Sequence, residues 1–224
     1  MYRANVERKK QQAQFSDYRE YLLSLNMQGT IRSFEPLYIA RIAQLTNKSN
    51  QFNLTTARYT QGEIEAFAAD ERYITRYGKL ADRFGDNGVV SVVIGRRGGM
   101  EDVAVYRQGG QTSRALAAGK DESAGQSVLH IELWLMSCRV LKRDMECAMM
   151  DNIVEACQAC GIGTIMGYYY PTAKNAMVKD FYGSMGFVMM EKTDTDVTVW
   201  RYEIPADYVP KNTVIAVEDE KETD

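Results

Sequence analysis

"SCRVLKRDME", Ser137 to Glu146, joins two unlike stretches of the 224-residue chain. Ahead of it lies "VLHIELWLMSC", an apolar run with the alternation of a strand. After it, "RDMECAMMDNIVEACQAC" spaces its apolar residues as an amphipathic helix does and stops before Gly161 and Gly163. A strand-to-helix corner is a natural phosphate site, because the first amide N–H groups of the helix lack intrahelical partners and sit at its positive end. Glycines usually build such corners, since they let the backbone approach closely and adopt φ > 0. Here Lys142 and Asp144 stand instead. Arg139, Lys142 and Arg143 add positive charge, which Asp144 opposes. An Asp144 acting as N-cap would also take the N–H groups that a phosphate wants. Two readings stand at this point: an altered phosphate cradle, or a capped helix with no ligand.

Working outward, residues 5–26 read as helix, with Phe15, Tyr18, Leu22 and Leu25 at spacings of three and four and Ser16 as cap. "TIRSF" is a short strand, and "PLYIARIAQLTNK" a helix with Pro36 near its start. "SNQFNLTT" breaks the periodicity and reads as a loop. "TQGEIEAFAAD" is a helix opened by Thr60 and Glu63 in capping-box spacing. "YITRYGKLADRF" and "VVSVVIG" flank "GDNG", a hairpin signal. "EDVAVYRQ" reads as a strand and "GGQTSRALAAGKDESAGQ" as a long small-residue loop. Beyond the central helix come a strand in "TIMGYYY", a short helix in "NAMVKDFYGSMGF", and strands "FVMMEK" and "VTVWRYEI" joined by "TDTD". The order predicts one α/β domain with a mixed sheet over residues 29–204. A helical arm over 1–28 precedes it, and an acidic, disordered tail over 205–224 follows.

A 45% hydrophobic, 25% charged chain of net charge −3 has no broad basic footprint for nucleic acid. No apolar run reaches the length of a membrane span, and no export signal is evident, so a cytoplasmic protein with reduced thiols is expected. Cys157 and Cys160 form a CxxC, but there is no second CxxC and His130 is distant in sequence, so no metal site is implied and core thiols are the expectation. "DTDVT", Asp194 to Thr198, reads as a solvated turn.

The element order and two motifs resemble the GNAT (GCN5-related N-acetyltransferase) superfamily. There an R/Q-x-x-G-x-G/A loop between a long strand and a helix holds the pyrophosphate of an acyl-CoA on backbone N–H groups. "RVLKRD" matches Arg139 and departs at both glycines, Lys142 and Asp144. "NAMVKDFYGSMGF" matches N-x-x-A…Y-x-x-x-GF through Asn175, Tyr182, Gly186 and Phe187. A narrower resemblance covers residues 1–204. "RIAQLTNKSNQFNLTTARYT", "DRFGDNG", "WLMSCRVL" and "YYYPTAKNAMVKDFY" are similar to the C-terminal half of FkbH-type proteins. Those join a HAD-like (haloacid dehalogenase) phosphatase half to a GNAT-like half and load a glyceryl group onto an acyl carrier protein. This chain begins where the longer proteins are mid-sequence, so no HAD half is expected in it.

The resemblance implies a GNAT-like mixed, mostly antiparallel sheet flanked by helices. It implies binding of an acyl thioester on phosphopantetheine, carried by acetyl-CoA, another acyl-CoA or a carrier protein. Arg139, Val140, Leu141, Lys142, Arg143 and Asp144 then form the phosphate loop, and Asn175 contacts the cofactor arm. Tyr182 is the expected general acid. Glu132 is the expected base, sharing a strand face by alternation with His130 and Trp134. His130 itself reads more simply as part of a sheet face. Asn50, Gln51, Asn53, Thr55 and Arg58 would line an acceptor pocket, or form an amide-rich loop that satisfies its own backbone. The alternative function is a non-catalytic, degenerate module that docks a carrier protein beside a HAD-type phosphatase.

Overall fold

The computed structural model describes residues 2–107 and 127–218. The small-residue loop after Gln108 and the end of the acidic tail lie outside the described residues.

The arm is two helices, α1 (Tyr2–Gln12) and α2 (Tyr18–Ser24). They part because Asp17, not Ser16, is the cap: its backbone is extended, and its carboxylate accepts the Glu20 N–H at 2.8 Å. Tyr21, Leu22 and Leu25 enter the main core. β1 (Met27–Arg32) follows, then α3 (Ile39–Lys48), the two-residue β2 (Phe52–Asn53) and α4 (Gln61–Ala69). The expected capping box of Thr60 and Glu63 is present.

β3 (Tyr73–Asp82) and β4 (Gly85–Gly98) form the expected hairpin. Its turn is Arg83–Phe84 rather than "GDNG", which extends β4, with register shifts at Lys79 absorbing the mismatch. The expected strand in "EDVAVYRQ" is instead a 3-10 turn and α5 (Val103–Tyr106), where Val103 and Tyr106 are buried at a helical spacing of three. β5 (Val128–Met136), α6 (Met145–Ala159), β6 (Thr164–Tyr169), the one-turn α7 (Phe181–Ser184), β7 (Val188–Lys192) and β8 (Thr198–Glu203) follow expectation. The fold does not end at 204. β9 (Ile215–Val217) pairs in parallel with β1, and Asp151 of α6 accepts the Lys211 and Asn212 amides at 2.8 Å each.

The nine-stranded mixed sheet is ordered β7-β8-β6-β5-β4-β3-β1-β9, with β2 on β5. α6 covers one face through Met145, Met149 and Ile153, in a cluster with Leu129, Ile131, Trp134 and Met136 of β5. On the other face, Ile42, Leu45 and Ile64 of α3 and α4 meet Leu133 and Leu135. Odd residues 129 and 131 therefore share a face with even residues 134 and 136. The alternation slips because β5 has a bulge: Leu133 pairs with Ile94 and Ile131 with Gly95, leaving Glu132 as the extra residue. Trp134 is accordingly on the face opposite Glu132, against the sequence expectation.

β5 and β6 are paired in parallel only over Val128–His130 and Thr164–Met166. Past that point, next to the bulge, they separate. The gap is occupied by the chain itself. Phe52 and Asn53 pair with Met136 and Leu135, the Leu54 N–H donates to the Trp134 carbonyl at 3.1 Å, and the Leu54 carbonyl accepts from Tyr170 at 2.9 Å.

Candidate functional site

The loop between β5 and α6 keeps the shape glycine would give it. Lys142 and Asp144 both hold left-handed backbone, at φ 63° and 59°. Asp144 precedes α6 without a side-chain cap bond. The expected competition of its carboxylate with a ligand is therefore absent, because left-handed backbone does not turn the side chain onto the N–H groups as the extended cap conformation does. Among the described residues, no hydrogen bond takes the amides of Leu141 to Met145. Burial pushes the carboxyls of Asp144 and Glu146 up.

A cleft of about 870 Å³ opens over this loop, walled by Arg8, Lys9 and Tyr18 of the arm and by Arg139, Lys142 and Arg143. The Tyr18 hydroxyl donates to the Lys142 carbonyl at 2.6 Å and ties arm to loop. Arg139 and Lys142 are exposed cations, and Val140 is core. Arg143 is not the free cation the sequence suggests. It is 8% exposed and bonds Asp82 at 2.9 Å, sharing that carboxylate with Arg8 at 2.7 Å. Burial pushes its guanidinium down from the usual value, first by desolvation and then by Arg8.

Tyr182 lies on the α6 side, 1% exposed, its ring flat against Gly167, where any Cβ would collide with it. Its hydroxyl faces the Tyr168 backbone without closing a hydrogen bond, and burial pushes it far up, so it stays protonated. Asn175 is wholly buried and fully engaged. Its amide donates to the Asn53 carbonyl at 2.9 Å and the Tyr170 carbonyl at 3.0 Å. Its oxygen accepts from the Thr172 amide at 2.7 Å and the Thr172 hydroxyl at 3.0 Å.

Glu132 lies on the opposite face, its side chain 2% exposed. Oε1 accepts from the Tyr106 hydroxyl at 2.6 Å, and Oε2 has no partner. Burial pushes its carboxyl up to about 7, opposed by the Tyr106 hydrogen bond and by Arg96. His130 is a core residue. Its Nδ1 accepts from the Tyr168 hydroxyl at 2.7 Å and its Nε2 donates to the Gly99 carbonyl at 2.9 Å, and desolvation pushes it down to about 4. Tyr106, Arg96 and Asp102 around this carboxyl carry no local motif, and sequence reading placed Tyr106 in a strand.

The polar segment between α3 and α4 is engaged mainly with itself. The Asn53 carboxamide accepts the Thr56 amide at 2.9 Å, and the Thr55 hydroxyl donates to the Glu132 carbonyl at 2.6 Å. Arg58 donates to the Asn47 carbonyl and to Asn50 Oδ1. Gln51 is exposed. Tyr182 and Glu132 thus flank one gap from its two sides, and residues 52–55 fill it.

Of the CxxC, Cys157 is core, its thiol pushed up to about 12 by burial, and Cys160 is exposed. Among the described residues there is no cluster able to hold a metal ion, and no helix is long and apolar enough to cross a membrane. No protein-family model matches the chain, and no curated protein matches it. Solved structures do. An acetyltransferase of the GNAT family from Streptococcus pneumoniae aligns at TM-score 0.55 and 15% identity over 80% of this chain and 100% of that one. The GNAT domain of S. lividans PAT aligns at 0.53 and 15% over 77% and 89%. Arabidopsis thaliana NAA60, solved in complex with acetyl-CoA, aligns at 0.52 and 14% over 79% and 99%. The chain has the GNAT acetyltransferase fold.

Proposed function

We propose that the chain is a cytoplasmic, acyltransferase-like domain that binds an acyl thioester on phosphopantetheine, supplied by an acyl-CoA or an acyl carrier protein. The observation that carries this reading is the loop: two left-handed residues, uncommitted amides from Leu141 to Met145, and exposed Arg139 and Lys142 beside them. Such a concave set of N–H donors at a helix start suits a diphosphate or a phosphodiester. When bound, the thioester supplies the activated acyl carbon. Tyr182, protonated and buried, is suited to give a proton to the departing sulfur. Glu132, with one free oxygen and a carboxyl near 7, is suited to take one from the acceptor. Residues 52–55 have to leave the gap before a thioester reaches between the two.

That last requirement favours a second reading, a non-catalytic module docking a carrier protein beside a HAD-type phosphatase, as the likeness to FkbH-type proteins implies. Asn53, Thr55 and Asn175 hold the gap shut in this reading, and Lys142, with Arg139, faces the acidic partner.

Calorimetric titration with CoA, acetyl-CoA and a phosphopantetheinylated carrier protein tests both. CoA binding that drops about tenfold in Arg139→Ala/Lys142→Ala supports the first. Binding of the carrier protein alone leaves a carrier-dependent transferase or a docking module, which turnover of the acyl-loaded carrier then separates, and binding of none of the three removes both.

A further inference from the structure

The bulge at Glu132 turns its carboxyl into a packed cluster of side chains from other elements. Tyr106 of α5 donates to Oε1 at 2.6 Å. Arg96 of β4 in turn donates to the Tyr106 oxygen at 3.3 Å, and its guanidinium is held by Asp102 at 2.9 Å. The Tyr106 ring has no freedom to turn. It is stacked between His130, at 4.9 Å, and Tyr168, at 4.6 Å, and its carbonyl accepts from the Tyr170 hydroxyl at 2.8 Å. The chain of donors therefore runs one way, from Arg96 through Tyr106 to Oε1, and ends there. Oε2 is buried and unpartnered.

An unpaired carboxylate oxygen in the interior is costly for a residue with only a structural role, since a fully bonded or apolar side chain would serve better. We propose that Tyr106 is a positioning residue for proton transfer, engaging Oε1 of Glu132 so that Oε2 alone is presented to the acceptor. This rests on reading Glu132 as the base. The other charged or titratable groups facing this carboxyl are Tyr73 of β3, Asp102 of the turn before α5, His130 of β5 and Tyr168 of β6. His130 is neutral, with both ring nitrogens engaged. The tyrosines are pushed up by burial and stay protonated, which leaves the Tyr106–Arg96 pair as the source of stabilisation for the carboxylate.

The test is a carbon-detected NMR titration of side-chain-labelled glutamate in the full chain, with wild type, Tyr106→Phe and Tyr168→Phe compared. Tyr106→Phe keeps the stacked ring and removes one hydrogen bond. It is expected to raise the Glu132 midpoint by about one pH unit, a tenfold change in proton affinity. Tyr168→Phe keeps the ring stacked on Tyr106 and removes only the hydroxyl that bonds His130, so it leaves the midpoint in place. In acyl transfer, the acid limb of the Tyr106→Phe rate profile moves up with the midpoint, and kcat falls at unchanged KM for the thioester. A midpoint unmoved by Tyr106→Phe, or moved equally by Tyr168→Phe, overturns the inference and leaves the acyl-transfer reading intact. A wild type whose Glu132 titrates as expected but which transfers no acyl group overturns that reading, and the role of Tyr106 with it.

Discussion

Lys142 and Asp144, two residues apart at the mouth of α6, share one unusual backbone state, both left-handed where the GNAT motif has glycines. For an L-residue this costs roughly 1–2 kcal/mol, less for Asp than for Lys because a short polar side chain tolerates it. The loop holds, at two L-residues, a conformation that glycine adopts without cost, which argues that the shape is what matters.

Removing the strain is the direct check. Lys142→Gly is expected to raise the melting temperature by about 2 °C, the relief exceeding the entropy glycine adds to the unfolded chain. Lys142→Val, β-branched at the same φ, is expected to lower it by a similar amount. Asp144→Gly removes a carboxylate beside the free amides and should tighten CoA binding in calorimetry. Melting curves in which Gly and Val behave alike would mean that the left-handed state is not required.

Asn175 has a measurable structural role. Its five side-chain hydrogen bonds, one of them from the Tyr169 hydroxyl, tie the Asn53 carbonyl in the gap to the end of β6 and to Thr172. Asn175→Ala strands these groups and is expected to cost about 3 kcal/mol. The loss should be local first: amide exchange of Leu54 and Tyr170, which bond across the gap, accelerates ahead of the α6 amides. Uniform acceleration across the sheet would show that the segment and the core open together.

Much of this was readable from local sequence. The corner at Ser137, the helix after it and the Thr60–Glu63 box announce themselves because caps, glycine stops and periodicity act between near neighbours. The rest depends on distant partners. All nine positions of β5 are buried and no polar residue follows Glu132 in the strand, so the pattern does not betray the slip there. Arg143 looks like a free cation until Asp82, 61 residues away, takes it. β9 lacks length and pattern, and exists because β1 offers an edge and Asp151 collects the amides before it. Tyr106 was misread because "EDVAVY" alternates as a strand does, while the Asp102 carboxylate, which accepts the Gly99 amide at 3.2 Å, closes a turn.

Glu132 and His130 titrate in opposite directions, which gives a stability profile with a definite sign. Folded Glu132 keeps its proton to about pH 7, against 4.5 for the unfolded chain, so its contribution falls as pH rises through that window. Folded His130 stays neutral down to about pH 4, against 6.5 unfolded, so its contribution grows from pH 4 to 6.5. The two offset each other between 4.5 and 6.5. Glu132→Gln removes the falling limb and should exceed wild type at pH 8 by about 3 kcal/mol, with little difference at pH 4. Urea unfolding at both values checks this, and equal stabilities at pH 8 would place the Glu132 carboxyl near its ordinary value.

Tyr182 separates stability from chemistry most sharply. Its hydroxyl is buried with no partner, so Tyr182→Phe removes an unsatisfied polar atom and leaves the ring on Gly167 in place. The variant is expected to gain about 1 kcal/mol, or about 3 °C in melting temperature. Gly167→Ala, which drives a methyl into that ring, is expected to lose about 2 kcal/mol. If the hydroxyl protonates a departing thiolate, Tyr182→Phe loses roughly 10²-fold in kcat with KM unchanged. A gain in stability with a loss in turnover is the mark of a group kept for chemistry. A Phe variant that is both more stable and fully active would show that the Tyr182 hydroxyl is not the acid of the reaction.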